Sequence, residues 1–282
     1  MTLSTLCNPS QSMIRAVTDR LSRLGRFLWS AWAGLAGLCL LAALWQLGHE
    51  AYGSFILPAP LETLQAASAL IREGEAQALL WLTSLRAALG FALAAVIGTV
   101  AGVIAGYSPA ILRLSRPVLT VVIGVPPIAW IVLAIIWFGA SMMTVALTIV
   151  ISGTPVVFMG AVEGVTTRDR GLDAMAEVFG AGPIRRFTHI ASRQIAAHLL
   201  PALVLALGSA FKVAVMAELL SNAGGVGGAL ARARSMLDIS GAMAWVLLAV
   251  AVLIVAEYAV LRPIQAELER WREAARPWGV KH

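Results

Sequence analysis

Charge is scarce in this chain. Only 13% of its 282 residues are Asp, Glu, Lys or Arg, and 59% are hydrophobic, whereas soluble domains carry about 25% charged residues. A water-soluble fold of this length could not hide so much apolar surface, so the composition points to lipid as the solvent. Lysine is scarcer still, with only Lys212 and Lys281, followed by Val213 and His282. A phosphate-binding P-loop needs Lys followed by Ser or Thr, which excludes that mode of nucleotide binding. Of the two cysteines, Cys7 lies in a polar tail and Cys39 inside an apolar run, a poor arrangement for a disulfide. His49, His189, His198 and His282 show no metal-ligand spacing, so no metal is expected. There is no His-Glu-x-x-His and no Gly-x-Ser-x-Gly, which leaves no catalytic residues to name and argues against an intramembrane enzyme.

What the chain has in abundance is long uncharged runs. The N-terminal 26 residues are polar and carry Arg15, Arg20, Arg23 and Arg26; Phe27 to Gly48 is then free of charge and long enough to span a bilayer. Gly48-His49-Glu50-Ala51 does not resemble a signal-peptide cleavage site, so a retained first helix is expected. Pro58 and Pro60 break the chain because neither donates a backbone hydrogen bond. The mixed segment Leu61 to Glu75 suits a helix lying at the interface. A second span begins near Leu79, contains Arg86 and runs on to Leu112, with Gly90, Gly98, Gly102 and Gly106 placing small residues on one face for close helix contact. Pro117 to Val162 is uncharged for 46 residues, enough for two crossings, with a natural break at Phe138-Gly139-Ala140-Ser141. Val125-Pro126-Pro127 and Gly153-Thr154-Pro155 predict that both of those helices are kinked or partly unwound, either as packing kinks or as the wall of a pathway. A fifth span covers about Ile195 to Leu219 with Lys212 inside it. Ser221 to Gly228 reads as a flexible glycine-rich turn, and a sixth span runs from about Ile239 to Leu261.

The basic residues give the expected orientation. With the N-terminus inside, segments 1–26, 107–117, 163–198 and 262–282 hold sixteen of the 21 Lys and Arg residues, and the outside segments hold only Arg72, Arg232 and Arg234. That bias places both termini in the cytoplasm of a six-span, multi-pass protein, and it accounts for the net charge of +6 without nucleic acid. The expected organisation is a cytoplasmic tail 1–26, a transmembrane domain 27–262 and a cytoplasmic tail 263–282.

The polar interruption at 163–193 is longer than a helix connection needs. Leu172, Met175, Ala176, Phe179, Ile184, Phe187 and Ile190 recur at helical spacing around Gly180-Ala181-Gly182-Pro183, predicting helix, turn, helix. An apolar stripe beside Arg185 and Arg186 suits docking into another protein's groove; packing against the inner ends of the chain's own helices is the alternative.

These residues resemble the permease subunits of binding-protein-dependent ABC importers, in the branch for nitrate, sulfonate, taurine and related solutes. The likeness runs from about Phe55 to the last helix. In that family a loop of the form Glu-Ala-Ala, three residues, Gly, then a distant Phe is the coupling helix, and Gly180, Ala181 and Phe187 match it. Pro126-Pro127-Ile128-Ala129-Trp130, Trp137-Phe138-Gly139, Lys212 to Glu218 and Leu57-Pro58-Ala59-Pro60 also match. The motif's glutamate falls instead on Ala174, with Asp173 beside it.

The resemblance implies an all-α integral membrane protein with the type I importer permease fold, in the bacterial inner membrane. It further implies a pore-forming subunit that is no enzyme and binds no cofactor, with ATP and Mg on two partner ATPase subunits. A second permease copy (a homodimer by the habit of this branch) and an extracytoplasmic binding protein complete the assembly. Asp173, Met175, Glu177, Phe179, Gly180, Ala181, Arg185, Arg186 and Phe187 are then candidates for coupling to the ATPase. Candidates for the translocation pathway are Pro126, Pro127, Trp130, Ser209, Lys212, Met216 and Glu218. Lys212 could snorkel to the interface, attract an anionic solute, or pair with Glu218 or Glu163. The alternative function, an ion-coupled secondary carrier, needs an intramembrane acid, and Glu218 and Glu257 read as lying near span ends.

Overall fold

The computed structural model describes residues 32, 34, 36–264 and 266. The tail 1–26, the start of the expected first span and the C-terminal tail past residue 266 lie outside the described residues. All regular structure among the described residues is helical, and the chain divides into two compact units, residues 1–62 and 63–282.

In the first unit, helix α1 covers 36–52. The chain then folds back on it: the Trp45 indole N–H donates to the Pro58 carbonyl at 2.9 Å, and His49 Nδ1 lies 2.7 Å from the Leu57 carbonyl. Pro60, free of any need to donate, opens α2 (Pro60–Arg72).

The second unit is built on three long helices, α3 (Glu75–Tyr107), α6 (Met142–Thr166) and α9 (Ser192–Ser221). Their contacts are set by missing side chains. A Cβ on Gly98 would stand 2.8 Å from the Val157 Cβ, one on Gly102 2.6 Å from the Phe158 carbonyl, and one on Gly106 2.6 Å from the Val165 Cβ. α6 repeats the device toward α9, where a Cβ on Gly164 would stand 2.8 Å from the Ile195 Cα. Lipid supplies no hydrophobic drive between helices, so close backbone approach and dispersion hold the three together. α6 remains helical through Pro155, where an unwound stretch was one expectation.

The run expected as the third span is broken. α4 (Pro109–Gly124) and α5 (Pro127–Phe138) meet at Val125-Pro126 with a bend of 91°. α4 starts at Pro109, so the preceding span stops at Tyr107 rather than Leu112, and Arg113 and Arg116 sit on a helix rather than in a connection. Ser141 caps α6, accepting from the Thr144 amide at 3.4 Å, at the break expected there.

After α6 come α7 (Arg170–Val178), α8 (Pro183–Arg186), a π-helical turn (Phe187–Ala191) and then α9. From Pro183 to Ser221 the helix is continuous for 39 residues. The expected glycine-rich turn is a correction: only its first part turns, and Gly225, Gly227 and Gly228 are buried in the opening of a helix, α10 (Gly225–Ser235). α11 (Ile239–Ala256) follows, and Trp245 and Leu248 on it pack with Ala67, Ala76, Val226 and Ala229. Among the described residues, four helices are long and apolar enough to cross a membrane, or five if the bent α4–α5 pair counts as one span.

Candidate functional site

Three features stand out: the segment between α6 and α9, a groove at the α4–α5 bend, and an ion pair sealed inside the second unit.

The segment begins with Asp169, whose carboxylate accepts from the Gly171 amide at 2.7 Å and so caps α7. Its amide donates to Gln194 Oε1 at 2.7 Å, tying the start of α7 to α9. Arg168 bridges Asp173 at 2.8 Å and donates to the Tyr107 hydroxyl at the end of α3. Asp173, which stands beside the expected glutamate position, therefore fastens α7 to its own unit. α7 ends in a paired closure, with Gly180 N–H donating to the Glu177 carbonyl and Ala181 N–H to the Ala176 carbonyl, both at 2.9 Å. This Schellman turn needs a left-handed residue, and Gly180 supplies it at φ 75°. Glu177 pairs with Arg186 across the turn at 2.7 Å, while Arg185 is exposed.

These polar ties leave the apolar residues outward. Val178, Phe179 (82% exposed), Ile184 and Phe187 (48% exposed) all face away from the chain, with Met175 beside them. The cluster is an exposed apolar patch on a segment that also carries charged residues.

The groove encloses about 300 Å³ between the bent pair and α6. Val122, Val125, Pro127 and Trp130 line one side, and Ser152, Pro155 and Met159 the other. Pro126 shapes the bend but is not in the lining. The Trp130 indole N–H is buried with no hydrogen-bond partner among the described residues, although Trp130 itself is only half-buried.

Lys212 and Met216 are exposed on α9, one helical turn apart, with Ser209 half-buried on the same side. Lys212 pairs with neither Glu218 nor Glu163. Glu163 has His198 3.8 Å away, and Glu218 belongs elsewhere.

Glu218 is the larger correction. It does lie within a turn of the end of α9, but it is fully buried inside the chain and lines no pathway within it. One carboxylate oxygen accepts from Arg86 at 2.8 Å. The other accepts from the Thr83 hydroxyl at 2.8 Å and the Gly227 amide at 3.2 Å. Thr83 in turn accepts from the Val226 amide at 2.9 Å, and Arg86 donates to the Ala223 carbonyl at 3.1 Å. The first-turn N–H groups of α10, which no helix can satisfy internally, are thus capped from α3 and α9. A Cβ on Gly225 would run into the Glu218 carboxylate, which explains the glycine there, and its φ of 70° favours that residue type. Removing one member of such a pair leaves an uncompensated buried charge, at a cost of about 3–5 kcal/mol. Sequence reasoning missed this cluster because its members stand more than 130 residues apart. The available signal was Arg86, a charge inside a span that demanded a partner.

Residues 98–271 match the family described as the binding-protein-dependent transport system inner membrane component. The chain belongs to this family. The permease's match covers the groove, the segment after α6 and the Glu218 side of the ion pair. It is 28% identical over 260 residues, 89% of this chain and 91% of the relative, to a Bacillus subtilis (strain 168) protein named as the aliphatic sulfonates transport permease SsuC. A Brucella melitensis protein named as an ABC transporter permease is 27% identical over 78% of this chain and 86% of its own length. The nitrate import permease NrtB of Leptolyngbya laminosa is 24% identical over 67% of this chain and 70% of its own. The permease is thus a multi-pass inner-membrane subunit of an ABC importer, in the branch that contains these sulfonate and nitrate permeases, and not itself an enzyme. A secondary carrier is not favoured, and the buried acid such a carrier would need is already neutralised by Arg86.

Proposed function

We propose that the permease forms half of the translocation pathway for a small anion of the nitrate or sulfonate type, delivered by an extracytoplasmic binding protein. It crosses the membrane six times with both ends in the cytoplasm, as the sixteen-to-three distribution of basic residues favours. Two copies, assembled as a homodimer, engage two ATPase subunits, which hold the ATP and Mg. The observation that carries this reading is the outward cluster of Val178, Phe179, Ile184 and Phe187 on a segment whose polar groups are turned back into the chain. In this reading the cluster docks in a groove of the ATPase, with Met175 extending the apolar face and Arg185 at its edge.

The pathway runs past the exposed side of α9, where Lys212 offers a positive charge with Ser209 and Met216 beside it. The groove at Pro127 and Trp130 is the wall that shifts as the bent pair moves against α6. An anion suits this reading because a lysine within an apolar helix costs about 2.5–3.5 kcal/mol at the bilayer centre, and an anionic solute or one at the copy-to-copy contact offsets that cost.

The test is reconstitution in proteoliposomes with the cognate binding protein and internal ATP. Uptake of the labelled anion should appear when the ATPase subunit is included and be absent without it. ATP-driven accumulation by the permease and binding protein alone would refute the assignment.

A further inference from the structure

The Thr83–Arg86–Glu218 cluster sits at the opposite end of a long helix from the docking segment. Pro183 to Ser221 is one continuous helix, and the 31 steps from Phe187 to Glu218 correspond to about 46 Å at 1.5 Å per residue. One end of this helix, which continues through Pro201, carries the exposed Phe187, and the other end carries the fully buried Glu218.

We propose that the cluster is the far joint of a coupling lever. Glu218 is a positioning residue that hands displacement of the docking segment, carried along α9, to α3 and α10. The reasoning rests on the proposed docking of that segment on an ATPase, and otherwise on the geometry of the joint. Five hydrogen bonds converge there from three helices and the α9–α10 turn. All five are made in a single register. A slide of α9 along α3 by one helical turn, about 5.4 Å, breaks the Arg86 and Thr83 bonds to Glu218 together, and uncaps the Val226 amide if α10 moves with α9 or the Gly227 amide if it stays with α3. The turn is closely packed: a Cβ on Gly227 would collide with the Val215 carbonyl of α9, and one on Gly225 with the Glu218 carboxylate. Where water is excluded, leaving such groups unpaired is costly, so α3 and α10 must follow α9.

This differs from a merely structural ion pair in what its loss does. If the joint transmits motion, loosening it leaves assembly and ATP hydrolysis in place but disconnects them from solute movement. The experiment uses the complete transporter, permease with ATPase and binding protein, in proteoliposomes. It measures solute imported per ATP hydrolysed for Glu218→Gln, which keeps shape and removes charge. It also measures Thr83→Val, which keeps the ion pair but removes the hydroxyl that links it to Val226.

Glu218→Gln is expected to assemble at wild-type stoichiometry, to hydrolyse ATP within about twofold of wild type and to import at least tenfold less per ATP. Thr83→Val is expected to lower the same ratio at least threefold. If Glu218→Gln does not assemble, Thr83→Val alone decides. An unchanged import-to-ATP ratio in an assembled variant overturns the lever, as does a loss in which hydrolysis and import fall together. Failure of the wild-type permease to bind its ATPase would strike the docking reading instead, so the two failures are told apart by co-purification.

Discussion

Truncating the two exposed phenylalanines of the docking segment should weaken ATPase binding unequally, and the structure sets the ratio. Fully burying a Phe side chain contributes about 1.5–3 kcal/mol. Phe179 is 82% exposed in the free chain, so nearly all of that remains to be gained on docking, about 2 kcal/mol; Phe187, at 48%, has about half left, or about 1 kcal/mol. At 1.4 kcal/mol per tenfold, Phe179→Ala should raise the Kd for the ATPase about 30-fold and Phe187→Ala about fivefold. Both residues precede α9 (Ser192–Ser221), so membrane insertion and the monodispersity of the purified permease should stay normal. The assay is equilibrium binding of labelled ATPase subunit to nanodisc-embedded permease. Because the loss is apolar, the effect should persist at high salt, where a surface ion pair would be screened. Equal effects, a larger effect at Phe187, or unchanged binding in the double variant would show that the exposed cluster is not the docking surface.

Two further outcomes follow from the helix packing and from Lys212. Gly102→Val puts a branched side chain where even a Cβ would stand 2.6 Å from the Phe158 carbonyl and 2.7 Å from the Ala161 Cβ. It should destabilise the permease by about 1–3 kcal/mol, read as a lower midpoint of thermal unfolding in detergent, whereas the same substitution at the uncrowded Gly37 should not. Lys212→Met keeps length and removes charge; it should express normally but lose anion uptake, while Lys212→Arg should retain it. Normal uptake by the Met variant would rule out a required role for the charge.

Much of this architecture was legible because local chemistry decided it. Pro60, Gly139 to Ser141 and Gly180 to Pro183 open or end helices for reasons contained within a few residues: a missing donor, a capping hydroxyl, a left-handed glycine. The spacing of Gly98, Gly102 and Gly106 announced a close helix partner, and α6 is that partner. The failures share a different cause. Ser108-Pro109 was overlooked as a helix boundary because the flanking residues stay apolar, so hydropathy ran through a break that the proline and the Ser108 cap impose together.

The glycines at 225, 227 and 228 show why the rest was not legible. By intrinsic propensity glycine is among the poorest helix formers, about 1 kcal/mol worse than Ala at each position, so a run of them reads as a turn. The structure makes them the opening of α10 because the requirement is not local. A carboxylate from α9 must come within hydrogen-bonding distance of the Gly227 amide, and a side chain at 225 or 227 would occupy that space. What the glycines lose in propensity is offset by an ion pair and a hydroxyl from α3, a helix more than 130 residues away in sequence. Arg86 in its span, Glu218 at the end of another and the glycines after it each looked unfavourable or unremarkable alone. They are the parts of one arrangement, and each is tolerable only because the other two are present. A single-site change at any of them should therefore cost more than its residue type suggests, and paired changes should be strongly non-additive. In a double-mutant cycle, Arg86→Met and Glu218→Gln together should cost clearly less than the sum of the two separately, because the second change removes the charge that the first leaves stranded. Additive losses would mean that the two residues act independently and that the joint between α3, α9 and α10 is held by packing alone.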